Sequence, residues 1–166
     1  MHMETDTKAP RYQFVFFWGG PFSQWAKYSM TIDGKTYSTC EQFMMAEKAR
    51  LFGDTEAEAG IMASANPRKQ KELGRNVKNF EEARWNAARE EIVYRANLAK
   101  YSQNPQLREA LLATGTKIIA EASPQDAIWG IGMAEDHPNV TETSLWGQNL
   151  LGKALMRVRE TLQTSQ

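Results

Sequence analysis

Between residues 39 and 105 this chain repeatedly carries the residue combinations that begin helices. The clearest is a capping box, in which Thr39 is followed three residues later by Gln42. Further N-cap residues follow at intervals that leave only short connections between helices. They are Asp54 or Thr55, Asn66 before Pro67, Asn79 with Glu82, and Asn104 before Pro105. This succession of helix starts predicts a mainly helical protein.

Strands and helix ends are also marked in the sequence. Residues 12–18 are aromatic and β-branched and stop at Gly19, which predicts a buried strand before a tight turn. Asp33-Gly34 predicts a hairpin between residues 28–32 and 35–37. Further boundaries are a strand at 117–120, helix ends near Phe52, Ser64, Gly74, Tyr101 and Gly115, and a last amphipathic helix from Leu150 to Leu162.

The length of 166 residues fits one domain with one contiguous core. Residues 1–11 are polar, lack the apolar segment of a signal peptide, and are expected to be a disordered tail. Residues 12–163 are therefore expected to form a single α+β domain, mainly α-helical, with a small β-sheet or hairpin.

Charge and cysteine content limit the partners and the location. Twenty basic residues balance twenty acidic ones, so a polyanionic ligand needs a local basic cluster. Cys40 is the only cysteine, and no apolar run approaches the roughly 18 residues that cross a bilayer. We expect an intracellular protein without a membrane partner, located in the cytoplasm or, in a eukaryote, in the nucleus.

The sequence lacks the residue sets on which several enzyme classes depend. Its two histidines, His2 and His137, fall in the expected tail and in a polar loop, so neither a histidine-based triad nor a His/Cys zinc site can be assembled. P-loop and dinucleotide-binding glycine motifs are also absent. Any chemistry must use carboxylates and lysine, and no metal or cofactor is expected.

Two tryptophan-glycine turns stand near the C-terminal end, at residues 126–132 and 146–152. Their indoles, glycines and polar side chains lie outside any obvious helix or strand, which is typical of a loop that lines a binding site. Asp126 and Trp129 together offer a carboxylate beside a stacking platform for a flat base or a sugar. The alternative is that the indoles fill the edge of the core.

Other side chains are also candidates for ligand binding. Glu41 and Lys48 lie seven residues apart on one helix face, about 10 Å from each other, which suits two groups that grip one sugar or base. Arg75, among other basic residues, is a candidate for binding phosphate. A solvated surface is the alternative for all three. For Trp18 and Asn149 the alternatives are a core indole and a helix cap.

In their order and spacing these landmarks resemble the YbiA-like or NADAR family, named for a proposed link to NAD and ADP-ribose. The resemblance extends from about Phe14 to Leu162. It rests on FFW ending at Trp18, FSQW at 22–25, IDGKTYSTCEQ at 32–42, Lys48, Gly74-Arg75, Trp85, AKY at 99–101, EASPQDAIWGIG at 121–132 and NLLGKALMRVRE at 149–160.

The resemblance implies a mostly helical α+β domain that hydrolyses the bond between ribose C1 and an exocyclic nitrogen. We expect it to remove ADP-ribose from the amino group of guanine in DNA or RNA. The alternatives are an N-glycosidase of ribosylaminopyrimidine phosphates from the riboflavin pathway, a non-catalytic ADP-ribose-binding module, and a structural domain. By position, Lys48, Glu41 and Asp126 are the implied catalytic residues, and Trp18, Arg75, Trp129, Gly130 and Asn149 are the implied substrate-binding residues.

Two features leave the substrate open, and two mechanisms remain. The chain has FSQW where riboflavin-type members have FSNF, and its segment 133–144 is longer. In one mechanism Lys48 forms a Schiff base with C1 while Glu41 or Asp126 moves protons. In the other, Lys48 only hydrogen-bonds the ribose, and carboxylates stabilise an oxocarbenium-like state and activate water.

Overall fold

The computed structural model describes residues 9–165 of the chain. In that part it shows six α-helices and four short strands, the mainly helical α+β fold that the sequence predicts. The strands are β1 (Phe14–Phe17), β2 (Met30–Ile32), β3 (Lys35–Tyr37) and β4 (Ile118–Glu121). The helices are α1 (Cys40–Leu51), α2 (Thr55–Ala63), α3 (Pro67–Arg75), α4 (Glu82–Gln103), α5 (Pro105–Ala113) and α6 (Leu150–Thr164).

The expected tail falls mostly outside this description. Residues 1–8, including His2, lie outside the described residues. Arg11 lies in a short 3₁₀ turn, Arg11–Gln13, and its guanidinium donates to the Glu135 carboxylate at 3.2 Å. The domain boundaries expected at residues 12 and 163 stay predictions.

The first three helices begin at the caps that the sequence marks. The side chain of Thr39 accepts from the backbone of Gln42 at 3.0 Å, and Asp54 and Asn66 cap α2 and α3 in the same way. Gln42 does not return the capping-box bond to the Thr39 backbone. Its side chain accepts from Ser38 N at 2.6 Å and donates to carbonyls at the end of α2, so it joins two helices instead.

Of two further asparagines that the sequence predicts to begin helices, one lies elsewhere and the other begins its helix without a side-chain cap bond. Asn79 has a left-handed φ of 62°, and α4 starts later, at Glu82 after Glu81. Asn104 makes no cap bond to α5 and donates from its amide to the Lys100 carbonyl at 2.8 Å, which closes α4. Asn104 is nevertheless the N-cap residue of α5, which begins at Pro105 as the sequence predicts. The expected start of α4 at Asn79 was wrong because asparagine suits turns as well as caps.

The four strands form two separate pairs. β2 and β3 are antiparallel around Asp33 and Gly34, both of which have positive φ, as the sequence predicts. β1 and β4 are parallel, with Phe14 opposite Ile118 and Phe17 opposite Glu121. Because parallel strands end at the same edge, the segment after β1 and the segment after β4 leave the sheet side by side.

Helix α1 runs through the main core and is buried over most of its length, including its polar residues Glu41 and Gln42. Helix α3 approaches it closely at Gly74, which is buried. A Cβ on Gly74 would overlap the sulfur of Met45 and lie 2.8 Å from its Cγ. The close approach brings the basic residues of α3 near the first turn of α1. None of the helices in the described part is long and apolar enough to cross a membrane.

The two tryptophan-glycine turns pair with each other. Residues 147–151 each donate a backbone N–H to a carbonyl within residues 127–131, at 2.7–3.1 Å. Trp146 packs edge-on against Phe14 and donates from its indole to the Val140 carbonyl at 2.8 Å. It belongs to a second, smaller core beneath these turns, so its role is packing.

Candidate active site

The first turn of α1 places a carboxyl group inside the protein. Glu41 is only 6% exposed. Burial raises its pKa to about 7, although the charges of Lys71, Lys48 and Arg75 act in the opposite direction. The charge of Glu121 adds to the increase. Side chains from α1, α3 and the end of β4 therefore act on one another at this point.

Lys48, two turns further along α1, is half-buried between aromatic rings. Its Nζ lies 4.8 Å from the ring centroid of Phe80 and 5.3 Å from that of Trp85. Burial lowers its pKa, opposed by the charge of Glu41 and assisted by that of Arg75. A lysine with a lowered pKa holds more of the neutral amine, the form that can attack carbon.

Helix α3 contributes two cations to the same region. Lys71 is half-buried, with its Nζ 5.8 Å from the ring centroid of Trp25, and its charge lowers the pKa of both Glu41 and Glu121. Arg75 is the last residue of α3 and is exposed. It is therefore available to a phosphate group that approaches from solvent.

The end of β4 brings a second carboxyl group. The pKa of Glu121 is raised to about 7, mainly by burial and also by the charge of Asp126, against the opposing charge of Lys71. Its Oε2 is buried and has no hydrogen-bond partner among residues 9–165. The Asn149 side chain holds the adjoining backbone, accepting from Glu121 N at 3.2 Å and donating to the Ile119 carbonyl at 3.0 Å.

Asp126 shapes the first tryptophan-glycine turn. Its Oδ1 accepts from the backbone N–H groups of Ile128 and Trp129, both at 2.9 Å. At Gly130 there is no room for a side chain, because a Cβ would lie 2.8 Å from the Glu121 carbonyl oxygen and 2.9 Å from that of Asp126. The turn therefore folds tightly against the end of β4 and fixes the backbone of Trp129.

Two indoles frame this region in different ways. Trp129 is partly buried against the main core, and the guanidinium carbon of Arg89 lies 5.9 Å from its ring centroid. Trp18, directly after β1, is 60% exposed, so it is not a core indole. The parallel pairing of β1 with β4 puts Trp18 at the sheet edge that carries Glu121.

The residues expected from the sequence are thus linked, in two groups. Glu41, Lys48 and Arg75 interact directly through their charges. The charge of Asp126 acts on Glu121 and not directly on Glu41 or Lys48. Asp126 also holds the turn that carries Trp129 and Gly130. Asn149 makes structural contacts: it has a left-handed φ of 50°, caps no helix with its side chain, and braces β4. Within residues 9–165, no group of three or more His, Cys, Asp or Glu side chains could hold a metal ion.

Comparison with known proteins assigns the chain to a family. The NADAR domain matches residues 6–163. The chain belongs to the NADAR family. It is 43% identical over 175 residues to "N-glycosidase R617" of Acanthamoeba polyphaga mimivirus, covering 97% of this chain and 99% of that protein. It is 32% identical over 143 residues to "N-glycosidase YbiA" of Escherichia coli, covering 86% of this chain and 81% of that protein.

The fold agrees with a solved member of the same family. The NMR structure of E. coli YbiA superimposes with a TM-score of 0.76 at 28% identity, covering 97% of this chain and 91% of that one. The NADAR assignment therefore rests on sequence and on structure together, and the YbiA-like fold expected from the sequence is confirmed.

Sequence reasoning missed several residues of this NADAR site. Glu121 was placed just beyond the expected strand, and its signal was a charged residue at the carboxyl end of that strand. In the sequence, Lys71 is only one of the basic residues near Arg75, and Trp85 is only a landmark of the family resemblance. Arg89 carried no signal, because an arginine on a long charged helix is ordinarily solvated.

Proposed function

We propose that this NADAR protein is an N-glycosidase that removes ADP-ribose from the amino group of guanine in nucleic acid. The names of its relatives support an activity on N-glycosidic bonds. The choice of ADP-ribosylated guanine rests on the family resemblance and on a site that combines aromatic rings, cations and carboxyl groups.

The observation that carries the proposal is the buried position of Glu41 among charged groups. A position that is 6% exposed is ordinarily apolar, and a carboxyl group there costs stability. A pKa of about 7 lets this group exchange protons at neutral pH. Such shifted carboxyl groups cluster at catalytic sites.

The surrounding residues supply the remaining requirements of the substrate. Trp129 stacks on the base or on adenine, and the exposed Arg75 meets the diphosphate. Lys48 faces ribose C1, either as a nucleophile or as a hydrogen-bond donor. Glu41 transfers protons during bond cleavage, a contribution of roughly 10²- to 10⁴-fold in rate.

The direct test offers two substrates to the full chain. One is an oligonucleotide with ADP-ribose on a guanine amino group, and the other is a ribosylaminopyrimidine phosphate. We expect release of ADP-ribose from the oligonucleotide. Release from the pyrimidine substrate only would indicate the riboflavin-type activity, and tight binding of ADP-ribose without turnover would indicate a binding module.

A matched pair of lysine variants tests the site. Lys48→Ala is expected to reduce turnover strongly, whereas Lys153→Ala, an exposed lysine on α6, should leave it unchanged. Unchanged turnover in Lys48→Ala would remove Lys48 from both mechanisms.

A further inference from the structure

We propose that Glu121 is the proton donor to the leaving group in this site, acting as the partner of Glu41. The inference rests on the N-glycosidase function proposed above and assigns one of its steps to a residue at the end of β4.

The backbone holds Glu121 firmly in place. Its N–H is bound by the Asn149 side chain at 3.2 Å, and its carbonyl accepts from Ile131 N at 2.9 Å. Gly130 packs so closely against that carbonyl that a Cβ on residue 130 would lie only 2.8 Å from its oxygen. The side chain of Glu121 therefore starts from a fixed point beside the Trp129 turn, as a proton donor requires.

The carboxyl group itself is left without a structural partner. Oε2 is buried and unbonded among the described residues. An unmade hydrogen bond at a buried polar atom costs about 1–3 kcal/mol, so such an atom calls for a role. A substrate group that exchanges a hydrogen bond with Oε2 would remove this cost.

Glu121 and Glu41 are surrounded by different charges, and this difference gives the two carboxyl groups different roles. Glu121 faces the Asp126 carboxylate from its own loop, Glu41 from α1 and a single cation, Lys71, from α3. Its strand partner in β1, Phe17, carries no charge.

Glu41 instead faces three cations, Lys71, Lys48 and Arg75. Like charges that lie close together resist double ionisation, so the pair keeps a proton near neutral pH. In the proposed reaction that proton is on Glu121, which faces one cation where Glu41 faces three.

This assignment balances the reaction. As the C1–N bond breaks, its electron pair goes to the exocyclic nitrogen, which takes the proton from the Glu121 carboxyl group. A water oxygen bonds to C1, and its proton goes to the Glu41 carboxylate. The products are the free amino group of the base and a ribose with a C1 hydroxyl. Transfer of a proton from Glu41 to Glu121 restores the starting state.

Asp126 fits the donor role less well. Its Oδ1 already accepts from two backbone N–H groups, which occupies it within the turn. Asp126 is then a positioning residue that holds the turn, and its charge favours the protonated form of Glu121.

Glu121→Gln tests the proposal with little change of shape. We expect kcat on the ADP-ribosylated oligonucleotide to fall roughly 10²- to 10⁴-fold with KM changed only a few-fold. The wild-type rate should decrease above about pH 7, as the acid ionises, and this alkaline limb should be missing in the variant. Glu160→Gln, an exposed change on α6, should behave as the wild type.

A second substrate separates proton donation from a structural role. With 4-nitrophenol in place of the base, the leaving group departs as a phenolate and needs no proton. Glu121→Gln should then lose no more than roughly 10-fold in rate, because only the proton-donating step is impaired. Equal losses on both substrates, or a wild-type rate on the oligonucleotide, would overturn the assignment while leaving the proposed function intact.

Folding of the variant is checked by near-ultraviolet circular dichroism. If Glu121→Gln does not fold, Glu121→Asp takes its place and should show a lowered kcat with the alkaline limb retained. A wild-type profile in Glu121→Asp would overturn the assignment, because a shortened acid cannot keep the same reach. A wild-type protein inactive on both substrates would overturn the proposed function, and this assignment with it.

Discussion

At the residue scale, the candidate site consists of titratable side chains at buried or partly buried positions, which are ordinarily apolar. Glu41 and Glu121 have raised pKa values and Lys48 a lowered one, and in each case the largest cause is burial. Burial therefore favours the uncharged form of all three. A neutral carboxyl group at Glu121 can donate a proton and a neutral amine at Lys48 can attack carbon, whereas three cations oppose the effect of burial at Glu41.

Glu41→Gln is expected to stabilise the protein at high pH only. The pKa of Glu41 is raised from 4.5 to about 7, so its stabilising contribution is complete below the unfolded pKa and is lost between those two values as the pH rises. Glutamine resembles the protonated form and avoids that loss. The variant should be near neutral at about pH 5 and more stable by up to about 3 kcal/mol at about pH 8.

Urea denaturation at the two pH values measures this difference. Glu90→Gln on the exposed face of α4 is the control and should show no pH-dependent change. A free energy of unfolding for Glu41→Gln that differs from wild type by the same amount at both pH values would contradict the expectation.

Lys48 distinguishes the two mechanisms by covalent trapping. If its amine forms a Schiff base with C1, borohydride added during turnover should reduce the adduct and fix the sugar to this residue. Mass analysis of peptides would then find the added mass on Lys48 and none on Lys153. Turnover without any trapped adduct would favour the mechanism in which Lys48 only hydrogen-bonds the ribose.

At the scale of elements, the site depends on how closely α3 approaches α1. Only glycine at position 74 permits the contact with Met45, and Lys71 and Arg75 lie on the same helix. Two of the three cations that face Glu41 are therefore positioned by one helix contact. The two tryptophan-glycine turns form the opposite part of the site and are joined by five backbone hydrogen bonds.

Gly74→Ala is expected to weaken both stability and activity. The new methyl group overlaps Met45, so α3 moves or Met45 leaves its rotamer, at a cost of about 1–3 kcal/mol. Activity should fall as well, because Lys71 and Arg75 shift with the helix. Urea denaturation and initial rates measure the two effects.

Gly60→Ala is the matched control on α2. A Cβ there meets only the two methyl groups of Leu73, at 3.2 and 3.9 Å, and alanine favours helix by up to about 1 kcal/mol. That variant should be neutral or slightly more stable. Wild-type stability in Gly74→Ala would show that the two helices adjust without cost.

At the scale of the whole molecule, charge is balanced overall and uneven locally. Twenty cations match twenty anions, yet α3 carries four basic residues and one acidic one. Nucleic acid would therefore meet one basic helix rather than a general field. This limits how many phosphates can be neutralised at once.

Binding of the ADP-ribosylated oligonucleotide is thus expected to depend only moderately on salt. With about three phosphate contacts, log K should fall with log salt at a slope of about −2. Arg75→Ala should reduce the slope by about one, whereas Lys153→Ala should not change it. Fluorescence titration at several salt concentrations measures both slopes, and a slope unaffected by Arg75→Ala would place the phosphates elsewhere.

Much of the secondary structure could be predicted because its causes are local. The cap at Thr39 and the hairpin at Asp33-Gly34 involve residues close together in the chain, whose side chains and backbone dictate their conformation. The predicted start of α4 was wrong because asparagine suits two local structures: Asn79 lies in a left-handed turn and does not cap the helix.

The candidate site also has a part that local sequence predicts and a part that depends on tertiary packing. The sequence by itself identified Glu41, Lys48 and Trp129 as side chains with suitable chemistry, through spacing and family resemblance. Only the tertiary structure paired β1 with β4, assigned Trp146 to packing, and buried Oε2 of Glu121 near the charge of Asp126. Burial and the charges that shift a pKa come from elements far apart in the chain, so they exist only once those elements have packed together.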